Sequence, residues 1–136
     1  MSSKLILYGR RVGIITLLAL TAGLHLGCRE VRQYPEESQW YVPAANPERG
    51  LVLIREYGCG TCHTIPGVSG ATGRVGPRLD QLNEQAYIGG VLSNSPQNLV
   101  SWIQNPQEAS PRTAMPDLDV SEKDARDIAA YLYTRP

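Results

Sequence analysis

Five consecutive residues, Cys59-Gly60-Thr61-Cys62-His63, bring two thiols and one imidazole together within a short stretch of chain. The pattern is C-x-x-C-H, the spacing that attaches a c-type haem: two thioethers hold the macrocycle and the adjoining imidazole reaches the iron. Two other chemistries use similar residues. A thioredoxin-like redox pair needs a preceding strand and a βαβ context, whereas here a helix-like run, Pro47 to Tyr57, leads in. A structural zinc site needs four ligands, with a second Cys/His pair downstream, and no cysteine or histidine follows His63. The motif predicts one covalently bound haem c.

The scarce residues limit what else can reach such an iron. Of two histidines, His25 lies in an N-terminal apolar run, so His63 is the imidazole left to a folded domain and bis-histidine ligation within the chain is excluded. Of two methionines, Met1 is the initiator, so Met115 is the one thioether for the sixth position, on a loop stiffened by Pro116. A methionine packed in the core, as most are, would instead leave the iron open. The chain would then be a haem peroxidase or a gas-binding sensor, with Arg74, Arg78 and Arg112 as its only distal helpers. Those arginines serve equally well as propionate partners or solvated charges.

Length and charge narrow the class. With 136 residues the chain holds one domain plus a targeting segment. The formal charge is zero, but residues 1–27 carry Lys4, Arg10 and Arg11 and no acid, so the remainder has ten basic and thirteen acidic side chains, a net of −3. No basic stripe marks a nucleic-acid partner.

Residues 1–27 read as a signal peptide: a basic start, the apolar run Val12 to Leu26, then Gly27 beside Cys28. That run of 15 residues is shorter than the roughly 20 a spanning helix needs. Leu24-His25-Leu26-Gly27-Cys28 resembles the lipobox of bacterial lipoproteins, which makes Cys28 a lipid anchor and explains an otherwise odd thiol. The alternatives are an uncleaved signal anchor, or cleavage near Ala22-Gly23 that leaves Cys28 free. Residues 28–45 are polar, with Pro35 and Pro43, and read as a lipid-anchored tether whose seventeen residues after Cys28 extend at most about 55 Å. Packing of Trp40 and Tyr41 on the domain would shorten it.

The remaining residues, 46–136, must position the motif. Asn46-Pro47 pairs an N-cap with proline at the first helical position, Leu51, Ile54 and Tyr57 recur at helical spacing, and Gly58 ends the helix just before Cys59. Gly50 within it suggests close approach by another helix. Glycine at every third position, Gly67, Gly70, Gly73 and Gly76, reads as a loop that bends tightly, closed by Gly76-Pro77-Arg78-Leu79. Pro77 has a carbonyl but no N–H to offer. Three helix-sized pieces follow. Asp80 to Gly89 is weakly patterned. Ser95-Pro96 opens the second, with Leu99, Trp102 and Ile103 on one face and Asn105-Pro106 as its stop. Ser121 and Asp124 form a capping box for the last, whose buried stripe is Ala125, Ile128, Ala129 and Leu132. Trp102 reads as core rather than redox relay, and no convincing strand is present.

Together, Cys59-Gly60-Thr61-Cys62-His63, Gly76-Pro77-Arg78-Leu79, Met115-Pro116 and the final Tyr131-Leu132 resemble class I cytochrome c, from about Asn46 to Thr134. The resemblance implies an all-α fold, about four to five helices around one covalent haem c, with the first and last helices crossing at Gly50 and Ile54 against Ile128 and Tyr131. It implies His63 as proximal and Met115 as distal iron ligand, Pro77, Arg78 and Leu79 beside the cofactor, and the Pro77 carbonyl as acceptor for the His63 ring N–H. The run from Tyr87 to Pro116, with Asn98-Leu99-Val100-Ser101-Trp102-Ile103-Gln104-Asn105-Pro106-Gln107, is most similar to the cytochrome domain of haem–copper oxidase subunit II and to small monohaem subunits of bacterial respiratory complexes. The implied role is electron transfer, not enzymatic catalysis, between partners such as a quinol-oxidising complex, a terminal oxidase or a reaction centre. The implied place is the periplasm or the outer face of the bacterial cytoplasmic membrane. A haem subunit fixed within a larger complex is the alternative.

Overall fold

Asn46 opens the first helix, α1 (Pro47–Glu56), by accepting the Arg49 N–H on its side-chain oxygen at 2.9 Å. Such a cap contributes about 1 kcal/mol. The computed structural model describes residues 34–134. The chain divides into Met1–Glu30 and Val31–Pro136, and the described residues fall in the second unit. The signal peptide and Cys28 lie outside them.

Three further helices follow: α2 (Pro96–Gln104), α3 (Pro106–Ala109) and α4 (Glu122–Tyr133). Ser95 caps α2 through the Asn98 N–H at 3.2 Å, and Ser121 caps α4 through the Asp124 N–H at 3.2 Å. Each cap satisfies a backbone donor that the first turn leaves without a partner. None of the described helices is long and apolar enough to cross a membrane.

α1 and α4 pack most closely of all the elements. A Cβ on Gly50 would collide with the Asp127 carbonyl and stand 3.0 Å from the Tyr131 Cβ. Glycine is thus required by contact, where the sequence suggested it. Ile54, Ile128 and Tyr131 are buried at the same crossing. The inward face of α1 is Pro47, Gly50, Leu53 and Ile54. Leu51, expected on that stripe, is only half-buried, and Leu53 takes its place.

Two expectations need correction. The piece Asp80 to Gly89 is not a helix: Leu82–Glu84 forms a single 3-10 turn, and β1 (Tyr87–Ile88) pairs antiparallel with β2 (Leu92–Ser93). Gly89 and Gly90, with φ of 56° and 75°, make the tight turn between them, a conformation that favours hairpins over helices. A mostly helical architecture thus carries one small hairpin among the described residues, where the sequence showed no convincing strand.

The second correction concerns the stretch assigned to the tether, 28–45. From Tyr34 onward it lies on the domain. Val42 is 2% exposed, Trp40 packs on Tyr133 of α4 with ring centroids 5.1 Å apart, and the Tyr34 hydroxyl accepts from the Asn83 amide at 2.9 Å. Residues 34–45 therefore form a strap, and are removed from any length that could extend. Two apolar contacts and one hydrogen bond, separated by proline and turns, leave no periodicity to read.

Candidate haem-attachment site

The attachment motif hangs from the C-terminal end of α1. Tyr57 closes the helix, Gly58 follows at φ 70°, and Cys59–Thr61 forms a 3-10 turn. The Cys62 N–H and the His63 N–H both donate to the Cys59 carbonyl, at 3.3 and 3.0 Å. In a 3-10 turn side chains at i and i+3 eclipse, which puts the Cys59 and Cys62 thiols on one face, with His63 next along the chain. The two cysteines are not joined in a disulfide and are half-buried. Burial pushes the Cys59 thiol above its ordinary range.

The loop that follows is stitched back onto the motif. Gly73 N–H donates to the Gly60 carbonyl at 3.1 Å, Gly76 N–H to Cys62 at 2.9 Å and Leu79 N–H to Thr64 at 3.0 Å, while the Thr64 hydroxyl donates to Gly73 at 2.9 Å. Only Gly67 and Gly70 of the four spaced glycines have positive φ. Gly76 is required by contact instead: a Cβ there would strike the His63 ring itself.

His63 Nδ1 lies 2.7 Å from the Pro77 carbonyl. A carbonyl can only accept, so Nδ1 carries the proton and Nε2 carries the lone pair. The ring is thus pinned on one face by Gly76 and at one nitrogen by Pro77, with Nε2 as its donor. Arg78 turns to Asp80, donating at 2.8 and 3.0 Å, and this hydrogen bond holds the Asp80 carboxyl below its usual range. Leu79 is half-buried against the core.

Met115 belongs to a separate loop, between α3 and α4, and packs half-buried against the core. Its N–H donates to the Thr113 hydroxyl at 3.2 Å and its carbonyl accepts from the Gln107 amide at 2.8 Å. Trp102 is buried beside Gly89, whose Cβ would meet the indole, which fits the core reading.

The sequence reading overlooked a polar cluster behind the motif. Asp127, 1% exposed, accepts from the Asn46 N–H at 2.7 Å, from Arg49, and from Lys123 at 3.4 Å. Arg49 and the Tyr57 hydroxyl also reach Asp124, the latter at 2.9 Å. Burial pushes the Asp124 carboxyl upward, but the hydrogen bonds from Tyr57 and Arg49 outweigh it and hold the group below its ordinary range. The same bond raises the Tyr57 phenol. The Arg49 ion pairs and the Tyr57 hydrogen bond together tie α4 to both ends of α1, and so to the residue that precedes the Gly58-Cys59 step. An acid at position 127, one turn from Lys123 and inside an apolar stripe, was the available signal.

These residues fit a covalent haem. The donor set is two adjacent thiols plus an imidazole whose free nitrogen is Nε2, and the ring sits in a cradle that any side chain at position 76 would fill. They fit the rival chemistries poorly. A thioredoxin-like pair needs a preceding strand, and α1 precedes the motif instead.

Comparison with known proteins points the same way. The cytochrome c family model matches residues 47–135. Subunit 2 of cytochrome c oxidase from Alkalihalophilus pseudofirmus is 34% identical over 85 residues, 62% of this chain and 24% of that protein. The chain therefore spans about a quarter of the length of this relative. The structure of cytochrome c2 from Rhodobacter sphaeroides is similar with a TM-score of 0.50 and 23% identity, covering 67% of this chain and 96% of that one, a likeness of fold.

Proposed function

The chain belongs to the cytochrome c family, binds one covalent haem c and transfers electrons, and we propose that it does so with His63 and Met115 as the two axial ligands. Bound haem c supplies a single electron at a time, its iron alternating between ferrous and ferric. Cys59 and Cys62 hold it through two thioethers. His63 offers Nε2, and its Nδ1–H, donating to the Pro77 carbonyl at 2.7 Å, fixes the ring and raises its basicity. The Met115 sulfur would supply the second ligand, and a thioether there would raise the potential relative to stronger donors. With both positions filled there is nowhere for a substrate, so the protein acts as a carrier or electron-transfer subunit and not as an enzyme. The contact between His63 and Pro77 carries the His63 half of this reading, because it selects the tautomer that a ligand needs.

The partners we propose are membrane redox complexes: a terminal oxidase foremost, since a relative is named as an oxidase subunit, or a quinol-oxidising complex or reaction centre. The domain would work in the periplasm or on the outer face of the bacterial cytoplasmic membrane, held by Cys28 after removal of residues 1–27. The test is an optical spectrum of the reduced protein with and without carbon monoxide. An unchanged low-spin spectrum supports two filled axial positions, whereas a shift on adding the gas means an open iron and a haem enzyme or sensor.

A further inference from the structure

Asn105-Pro106 reads in the sequence as a helix stop, but the structure gives the turn that follows a second use. Pro106 is buried and begins α3. Two backbone bonds close that short turn, Glu108 N–H to Asn105 at 3.1 Å and Ser110 N–H to Pro106 at 3.0 Å. The turn presents the Gln107 side chain to the Met115 loop, where Nε2 donates to the Met115 carbonyl at 2.8 Å. From the other side Met115 N–H donates to the Thr113 hydroxyl at 3.2 Å, and Thr113 N–H in turn donates to Ser110 at 2.9 Å. Both backbone polar groups of Met115 are therefore held by side chains, and Pro116 fixes the next φ. Between α3 and α4 no helix or strand forms among the described residues, so no ladder of backbone bonds does this holding instead.

We infer that Gln107 is a positioning residue for Met115, its amide clamping the Met115 carbonyl so that the thioether is kept at the iron. This rests on the ligation proposed above. A thioether is a neutral, soft donor, and what keeps it in place is the backbone that presents it. For the sulfur to leave, the loop must swing, and the swing breaks the bond from Gln107. Losing one such hydrogen bond corresponds to about a two- to tenfold change in that opening equilibrium.

The experiment uses the full-length ferric haem protein and imidazole as the probe, at concentrations where capture is limited by departure of the sulfur. Gln107→Leu is expected to capture imidazole about two- to tenfold faster than the native protein. Gln107→Glu, which keeps the length and lacks the donor at neutral pH, and Thr113→Val should move in the same direction. Gln97→Leu, an exposed site on α2, should leave the rate unchanged. Native protein that shows the sulfur-to-iron charge-transfer band, with Gln107→Leu and Gln107→Glu both at the native rate, overturns the clamp alone. Native protein that lacks the band and takes up imidazole in a rapid second-order step overturns the ligation reading and the clamp with it.

Discussion

The backbone of Asp127 occupies the space where a side chain on Gly50 would begin, so the first and last helices meet at a residue that cannot be enlarged without moving one of them. Gly50→Ala is expected to destabilise the domain by about 1–3 kcal/mol, the usual range for overpacking, even though alanine is the better helix former by about 1 kcal/mol. Chemical denaturation of the haem-loaded protein measures the difference. A neutral or stabilising result would mean the crossing is looser than the contact between Gly50 and Asp127 requires.

Trp40 on Tyr133 makes the strap part of the domain. Trp40→Ala should lower stability by about 1–3 kcal/mol, below the loss for a fully buried tryptophan because Trp40 is half-buried, and should open the Glu36-Glu37 stretch to limited proteolysis. A variant as stable and as protease-resistant as the native protein would restore the strap to a free tether.

Tyr133 is buried, its hydroxyl donating to Asn94 at 2.7 Å, and burial raises its pKa well above the ordinary phenol value. With the folded pKa raised, the neutral phenol's contribution is complete below the unfolded value of about 10 and is lost as pH rises through the folded pKa. Stability measured from pH 8 to 11 should therefore fall more steeply for the native protein than for Tyr133→Phe. The native advantage at pH 8 should narrow above about pH 10. Parallel profiles would show that Tyr133 ionises as easily folded as unfolded.

Much of this was legible in the sequence. Asn46, Ser95 and Ser121 announced three helices because a cap requires a short polar side chain at a fixed offset, and Cys59 to His63 announced the cofactor because its chemistry fixes the spacing. Gly50 and Gly76 were legible as glycines that matter, but what each touches, the Asp127 carbonyl and the His63 ring, depends on tertiary approach. Tyr87 to Ser93 shows no hairpin in the sequence because two-residue strands are too short to show a period and a Gly89-Gly90 pair ends a helix as readily as it turns a hairpin. Asp127 was overlooked because its partners, Asn46 and Arg49, lie at the far end of the domain in sequence. The clamp of Gln107 on Met115 joins a helix stop to a loop and has no pattern of its own.

Even with the strap, from Tyr34 to the end, the chain has 103 residues and no phenylalanine, so the haem is expected to supply much of the apolar surface that such a small domain buries. The double variant Cys59→Ala, Cys62→Ala, made without haem, is expected to be largely unfolded. A cooperative, helix-rich circular dichroism melt from it would show that the helices form a sufficient core by themselves.

The central claim is that Met115 completes the iron's coordination, and the ferric optical spectrum of native protein beside Met115→Ala tests it most directly. The account predicts a low-spin native spectrum with a long-wavelength sulfur-to-iron charge-transfer band, and loss of that band with a change toward high spin in Met115→Ala. Identical spectra from the two proteins, or a native protein that is already high-spin, would contradict it.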